Sequence, residues 1–301
     1  MRAGAEIILT STYQASFEGF SLQGVEVREE VEGLLRGAVS IAEDALKEGK
    51  THSGKEGKVV LGLGAYGATM RPSQEYTGKY DEEHATRKGL KDWHEERLRV
   101  FSEHDETWAK VENVAFETVP LLLEIEAVRE VMFSVNADGN ANDKSYWITC
   151  VFPGEGERLP DGSSIKEVVR ALLGKREGAG RPSGVGINCT KVGKIEELLK
   201  KFETEVEGMI RRGELEDGYK PALVLYPDGS GLGEVYNTTT KEWEVKDGGD
   251  RGEAEAWDEV VEGVVKEAWE RGVWSEIFVG GCCKTGPEDI GRLREKLDQF
   301  R

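Results

Sequence analysis

Val185-Gly-Ile-Asn-Cys189, a helical repeat from Lys194 to Arg211, and then Ala222-Leu-Val-Leu-Tyr226 decide the fold class. Each flanking run is short, apolar and β-rich, and the helical segment between them is long enough to carry the chain back across a sheet. That is a βαβ unit, and the same alternation extends outward in both directions. Strands are expected at Glu6 to Thr10 (EIILT), Val59 to Leu63 (VVLGL), Asn113 to Glu117 (NVAFE), Tyr146 to Cys150 (YWITC) and Glu276 to Gly280 (EIFVG). Helical patterns follow them at Val31 to Lys47, Glu83 to His104, Leu121 to Phe133, Ile165 to Leu173, Trp257 to Arg271 and Pro287 to Phe300. Seven strands result, whereas a closed (β/α)₈ barrel needs eight. The expectation is either an open α/β sheet or a barrel whose first βα unit is absent, in one domain spanning 1–301 with no interdomain linker.

The unusual local sequences all fall just after strands: TSTYQAS, GAYGA, FETVP, INCTK, YPDGSG and GGCCKT. Barrel enzymes build their active sites from the loops at the C-terminal ends of the strands, so this placement favours the barrel. Asn136 to Lys144 and Lys246 to Glu253 are Gly- and Asp-rich and read as surface excursions.

Composition removes several classes of function. With 38% hydrophobic and 33% charged residues, the 301-residue chain can build a core and a wet surface. A net charge of −18 repels phosphate backbones and anionic membranes, so neither nucleic acid nor a membrane is expected as a partner. No stretch approaches the roughly 20 apolar residues of a membrane span, and the opening segment lacks a signal-peptide core, which gives a cytoplasmic expectation. Four cysteines, two of them adjacent, do not form a disulfide framework in a chain this long.

Those cysteines are the most informative chemistry. Neighbouring side chains on a strand point to opposite faces, so Cys282 and Cys283 meet one metal only if the chain leaves strand geometry, which Gly280-Gly281 permits. Cys189 ends another strand and offers a third thiolate. Three ligands leave the fourth position of tetrahedral Zn²⁺ open, as catalytic sites require; Cys150 is the candidate for closing it. The bland alternative is that these thiols are small buried hydrophobes. Gly62-Leu-Gly64-Ala-Tyr-Gly67 matches a dinucleotide fingerprint only weakly, because Met70-Arg-Pro-Ser73 interrupts the helix that would hold a pyrophosphate. A tight loop at a ligand is the better reading. Glu117 closes its strand, either as an acceptor for a ligand ammonium or as an acid favoured at a helix start. His52, His84, His94 and His104 lie away from the strand ends and read as surface or helix-packing residues.

The order of these pieces resembles the homocysteine S-methyltransferase family nearly end to end, through AGAEIILTSTYQAS, GAYGA with SQEYTGKY, FETVPLLLEIEA, LPDGSSIKEV, GVGINCTKV, LVLYPDGSG and VGGCCKTGPEDI. The resemblance implies a (β/α)₈ TIM barrel and a zinc-dependent enzyme moving a methyl group from S-methylmethionine or S-adenosylmethionine to homocysteine, giving methionine. It implies zinc ligation by Cys189, Cys282 and Cys283, a contact between Glu117 and the homocysteine amino group, and pocket positions for Asn188, Thr10 and Gln14. Cys150 matches no family ligand. Family members begin with a strand carrying Asp-Gly-Gly and a helix ahead of the AGA segment, whereas here Met1 stands just before it. The expectation is therefore an incomplete barrel, with a catalytically impaired zinc-binding remnant or a truncated gene as the alternative to an active enzyme.

Overall fold

The computed structural model describes residues 3–49, 57–137, 143–231, 233–237, 239–240, 242–245 and 256–300. In chain order the elements are β1 (Ile7–Leu9), α1 (Phe17–Ser21), α2 (Arg28–Glu48), β2 (Lys58–Gly64), α3 (Arg87–Ser102), α4 (Asp105–Trp108), β3 (Asn113–Val119), α5 (Leu122–Ala137), β4 (Ser145–Cys150) and α6 (Ile165–Leu173). They continue as β5 (Gly184–Lys191), α7 (Ile195–Arg211), β6 (Ala222–Asp228), β7 (Glu234–Asn237), β8 (Glu242–Val245), α8 (Trp257–Arg271), β9 (Ile277–Val279) and α9 (Pro287–Asp298).

All seven expected strands form one sheet in the order β1-β2-β3-β4-β5-β6-β9, and every neighbouring pair is parallel. The sheet is curled. Ile7 and Leu9 of one edge strand pack in the same apolar cluster as Phe278 of the other, together with Val60, Ala115, Trp147 and Val224. Outside the curl, Arg294 of α9 reaches Glu6 at 3.0 Å, ahead of the opposite edge. The architecture is that of an incomplete TIM barrel, with seven of the eight strands and edges at β1 and β9 among the described residues.

Local chemistry sets the helix limits. Ser164 and Glu167 form a reciprocal capping box that starts α6. Thr86 accepts from the Gly89 amide, so within the expected Glu83–His104 helix α3 runs only from Arg87 to Ser102, and His104 accepts from the Thr107 amide to cap the short α4 that follows. Leu198, Leu199, Phe202, Val206 and Met209 share the buried face of α7, as the helical repeat requires. The antiparallel hairpin β7–β8 is an addition that sequence reasoning did not foresee. Lys246 to Glu253 lies outside the described residues; at the ends of Asn136 to Lys144, the Asn136 side chain bonds both the amide and the carbonyl of Lys144. Among the described residues, no helix is long and apolar enough to cross a membrane.

The guanidinium of Arg129, 2% exposed, ties α5 to the far end of α6 and to the approach of β5, donating to the carbonyls of Ala171, Gly174 and Gly180. Replacing it with methionine leaves these carbonyls without their donor, and we expect a stability loss of about 2–4 kcal/mol, given one to a few kcal/mol per buried group left unpaired. Urea denaturation of the Arg129→Met variant measures it.

Candidate active site

Two parallel strands break register at their C-terminal ends. The β3 pairing shifts between Phe116 and Val119, and the β5 pairing shifts between Asn188 and Lys191. Such bulges re-aim side chains out of the alternating pleat. Here they turn Glu117–Thr118 and Cys189–Thr190 together over the sheet. Among the described residues the non-glycine positions with positive φ are Thr118 (60°), Cys189 (45°) and Lys284 (61°), one at each of these bulges and one directly after Cys283. A left-handed β-branched residue such as Thr118 is strained by about 1–3 kcal/mol and persists only where its surroundings hold it. Asn188 does so: its Oδ1 accepts from the Thr118 amide at 2.8 Å and its Nδ2 donates to Thr118 Oγ1 at 2.7 Å.

The third wall comes from the end of β9. The strand stops at Val279, and the Cys282 amide donates to Pro227 O at 3.1 Å. The Thr285 amide then closes a turn onto Cys282 O at 3.2 Å. The chain has left strand geometry, and Cys282 and Cys283 both reach the end of β5.

Cys189, Cys282 and Cys283 place their sulfurs within 4.8 Å of one another. Cys189 and Cys282 are joined as a disulfide, with Cα atoms 5.6 Å apart, and Cys283 Sγ lies 4.0 Å from Cys282 Sγ. The tertiary fold thus brings together thiols 93 residues apart in the chain. Zn–S bonds of about 2.3 Å at tetrahedral angles put sulfurs roughly 3.8 Å apart. The reduced trio fits a three-thiolate zinc site, the Cys282–Cys283 spacing already matching it. Burial and the neighbouring Asp228 push the Cys283 thiol up, while Tyr76 partly offsets this. A dication would reverse that balance. Cys150 is fully buried, stands outside the trio and packs as an apolar core residue, with its thiol also pushed up by burial.

Glu117 is half-buried, resting on Gly62, where an added Cβ would fall 2.8 Å from its Oε1. Desolvation pushes its carboxyl up to about 8, with the buried Arg97 pulling the other way. Arg97 also clamps the ends of β1 and β2, donating to Gly64 O at 3.0 Å and to Thr12 O at 3.2 Å. Thr10 is 5% exposed; its hydroxyl lies 2.6 Å from that of Thr12 and accepts from the Gly62 amide at 3.0 Å, so it forms the floor beneath Glu117. Gln14 is exposed. Asn188 is fully buried, and its amide is occupied by Thr118.

Aromatic residues that sequence reasoning passed over line the same space. Tyr13 lies against Gly64 and feels the charges of Glu75, Glu117 and Cys283. Tyr76 interacts with Cys283, and the Tyr226 hydroxyl is 2.8 Å from Thr149 Oγ1. The Gly62–Gly67 segment is thus a place of close approach at the end of β2: Gly62 and Gly64 make room for Glu117 and Tyr13, and the chain then enters a short 3₁₀ turn at Tyr66. Outside the thiols, Trp243 of β8 sits between Lys284 and Lys191, whose ammonium groups lie 4.8 and 5.6 Å from ring centroids. Lys284 also pairs with Glu234 at 2.6 Å, so the hairpin is anchored to both cysteine-bearing loops. The alternation in EWEV and the β-favouring Val235-Tyr236 were the available signal for it. His94 is buried 2.9 Å from Glu124, His84 pairs with Asp81, and His104 is a helix cap; His52 lies outside the described residues.

The architecture is that of an incomplete parallel α/β barrel with three thiols converging at its strand ends. The homocysteine S-methyltransferase family model matches residues 1–297, and the chain belongs to that family. Homocysteine S-methyltransferase 1 of Arabidopsis thaliana is 31% identical over 99% of this chain and 80% of its own length. A betaine-homocysteine S-methyltransferase of Drosophila melanogaster is 31% identical over 99% of this chain and 81% of its own. Among solved structures, the metallated homocysteine methyltransferase MmuM of Escherichia coli superposes with a TM-score of 0.67 at 23% identity, covering 98% of this chain and 81% of that one. The barrel and the enzyme class expected from the resemblance are thereby established.

Two outcomes test the construction of the site. Glu117 has a folded-state pKa raised above its unfolded value, so its burial costs nothing below about pH 4.5 and progressively more up to about pH 8. Thermal melts should show Glu117→Gln gaining stability over the parent chain across that window, with a constant difference above it. Asn188→Ala removes both bonds that hold Thr118 and should lose about 2 kcal/mol in chemical denaturation.

Proposed function

We propose that the chain transfers a methyl group from a sulfonium donor, S-methylmethionine or S-adenosylmethionine, to the thiol of homocysteine, with zinc held by Cys189, Cys282 and Cys283. The observation that carries this reading is the convergence of the three thiols within 4.8 Å at the mouth of the curled sheet. Bound zinc supplies a Lewis acid that ionises the homocysteine thiol at neutral pH.

The remaining work belongs to the protein. Glu117, as a carboxylate, accepts from the homocysteine ammonium, and that cation lowers the pKa which burial has raised. The Asn188–Thr118 pair holds Glu117 and Cys189 in fixed relation, so amino group and sulfur are positioned together. Tyr13, Tyr76 and Tyr226 limit water at the reacting atoms. The thiolate attacks the methyl carbon in line, a new C–S bond forms as the donor's C–S bond breaks, and the donor leaves as a neutral thioether. Opposite charges cancel on the way, so a poorly hydrated pocket favours the transition state. Thr10 and Asn188 act in this reading as positioning residues, and Gln14 stands at the exposed rim.

The thiols hold the metal only when reduced, so the chain is handled with a thiol reductant. Only the reduced chain should take up one equivalent of zinc. Methionine formation should accompany uptake with one of the two donors, and Cys283→Ser should lower it at least 100-fold. Zinc uptake without turnover by the parent chain would instead identify a zinc-binding barrel that has lost the reaction.

A further inference from the structure

The Glu75 carboxylate is 5% exposed, and its Oε2 has no hydrogen-bond partner among the described residues. No Lys, Arg or His of the described residues forms an ion pair with it. Ser73 and the Glu75 amide give the carboxyl hydrogen bonds, but Oε2 is left over, and a carboxylate removed from water with no cation beside it is unfavourable. Its position is nevertheless built rather than incidental. The Gln74 amide donates to Gly67 O at 2.7 Å, the Gly78 amide to Gln74 O at 2.8 Å, and the Tyr80 hydroxyl to Glu124 at 2.7 Å, so the loop is held on both sides of Glu75. Tyr13 and Tyr76 both feel the Glu75 charge, and Tyr76 meets Cys283 on its other side. The buried Glu75 Oε2 therefore lies within charge range of Tyr13 and Tyr76, and Tyr76 in turn bonds Cys283.

We propose that Glu75, with the rings of Tyr13 and Tyr76, forms the subsite that holds the sulfonium centre of the methyl donor beside Cys283. This assignment rests on the methyl-transfer reading and supplies its second cation site, the first being Glu117 for the ammonium of the acceptor. The chemistry suits the ligand. A sulfonium has no N–H to donate, so it is recognised by unpaired negative charge and by aromatic faces rather than by hydrogen bonds. Burial pushes the Glu75 carboxyl up, and a bound cation draws it back toward ionisation. Methyl transfer leaves a neutral thioether, which forfeits the attraction, so the same carboxylate that captures the donor favours release of its product.

The test uses trimethylsulfonium and the neutral dimethyl sulfide as probes of the reduced full chain in zinc-containing buffer. Calorimetry should show saturable binding of trimethylsulfonium, at least tenfold weaker in Glu75→Gln, with dimethyl sulfide not binding at the same concentrations. In turnover, Glu75→Gln should raise the donor KM at least tenfold and leave the homocysteine KM within twofold. Failure of the parent chain to bind trimethylsulfonium overturns the subsite whether or not the variant folds, as does a Glu75→Gln variant that binds within twofold of the parent. Glu75-dependent cation binding without methionine formation upholds the subsite and removes the methyl-transfer reading. Turnover with an unchanged donor KM in Glu75→Gln does the reverse.

Discussion

The site depends on one reciprocal side-chain contact, that of the buried Asn188 amide with Thr118. Thr118 is left-handed, a conformation a β-branched residue does not keep unaided, and Cys189 beside Asn188 is left-handed too. Each of these positions bulges from its strand, and the two bulges face each other across the β3 and β5 ends. Without the bulges the pleat would send successive side chains to opposite faces of the sheet. With them, a carboxylate and a thiol from different strands aim into one space. The strain is local, and the amide that holds it is satisfied wholly within the protein.

Around that contact the electrostatics are those of a site made for cations. The molecule is acidic overall, yet the field that matters is short-range. Glu117 and Glu75 both act on the Tyr13 hydroxyl, and desolvation pushes both carboxyls up. The nearest buried cation, Arg97, is spent on backbone carbonyls of Gly64 and Thr12. Lys191 and Lys284 are turned outward onto Trp243, Asp228 and Glu234. The interior thus holds carboxyl groups with no cation paired to them, which bound ammonium, sulfonium or a metal dication would draw toward ionisation.

Much of this was legible in the order of residues. The seven parallel strands followed from short apolar runs alternating with helical repeats, because strands buried on both faces are uniformly apolar and their crossovers are long. The placement of GINC and GGCC after strands followed from the same alternation. Other features were invisible for physical reasons. The hairpin β7–β8 is a surface element of two short strands, whose signal, the alternation in EWEV and the β-favouring Val235-Tyr236, is too brief to stand out. Glu75 and Tyr76 sit in an irregular loop after the 3₁₀ turn, where periodicity carries no information about burial.

The sequence by itself determined the fold class, the three thiols as the chemistry of interest, and the carboxylate at the end of β3, because each follows from residue type and from hydrophobic period along the chain. Only the tertiary structure decided that Cys189 and Cys282 come within bonding distance, that Asn188 serves Thr118 rather than facing open space, and that Cys150 stands apart in the core. Those outcomes depend on strand register, bulge position and curl. These are set by the packing of distant segments against one another, so no local pattern encodes them.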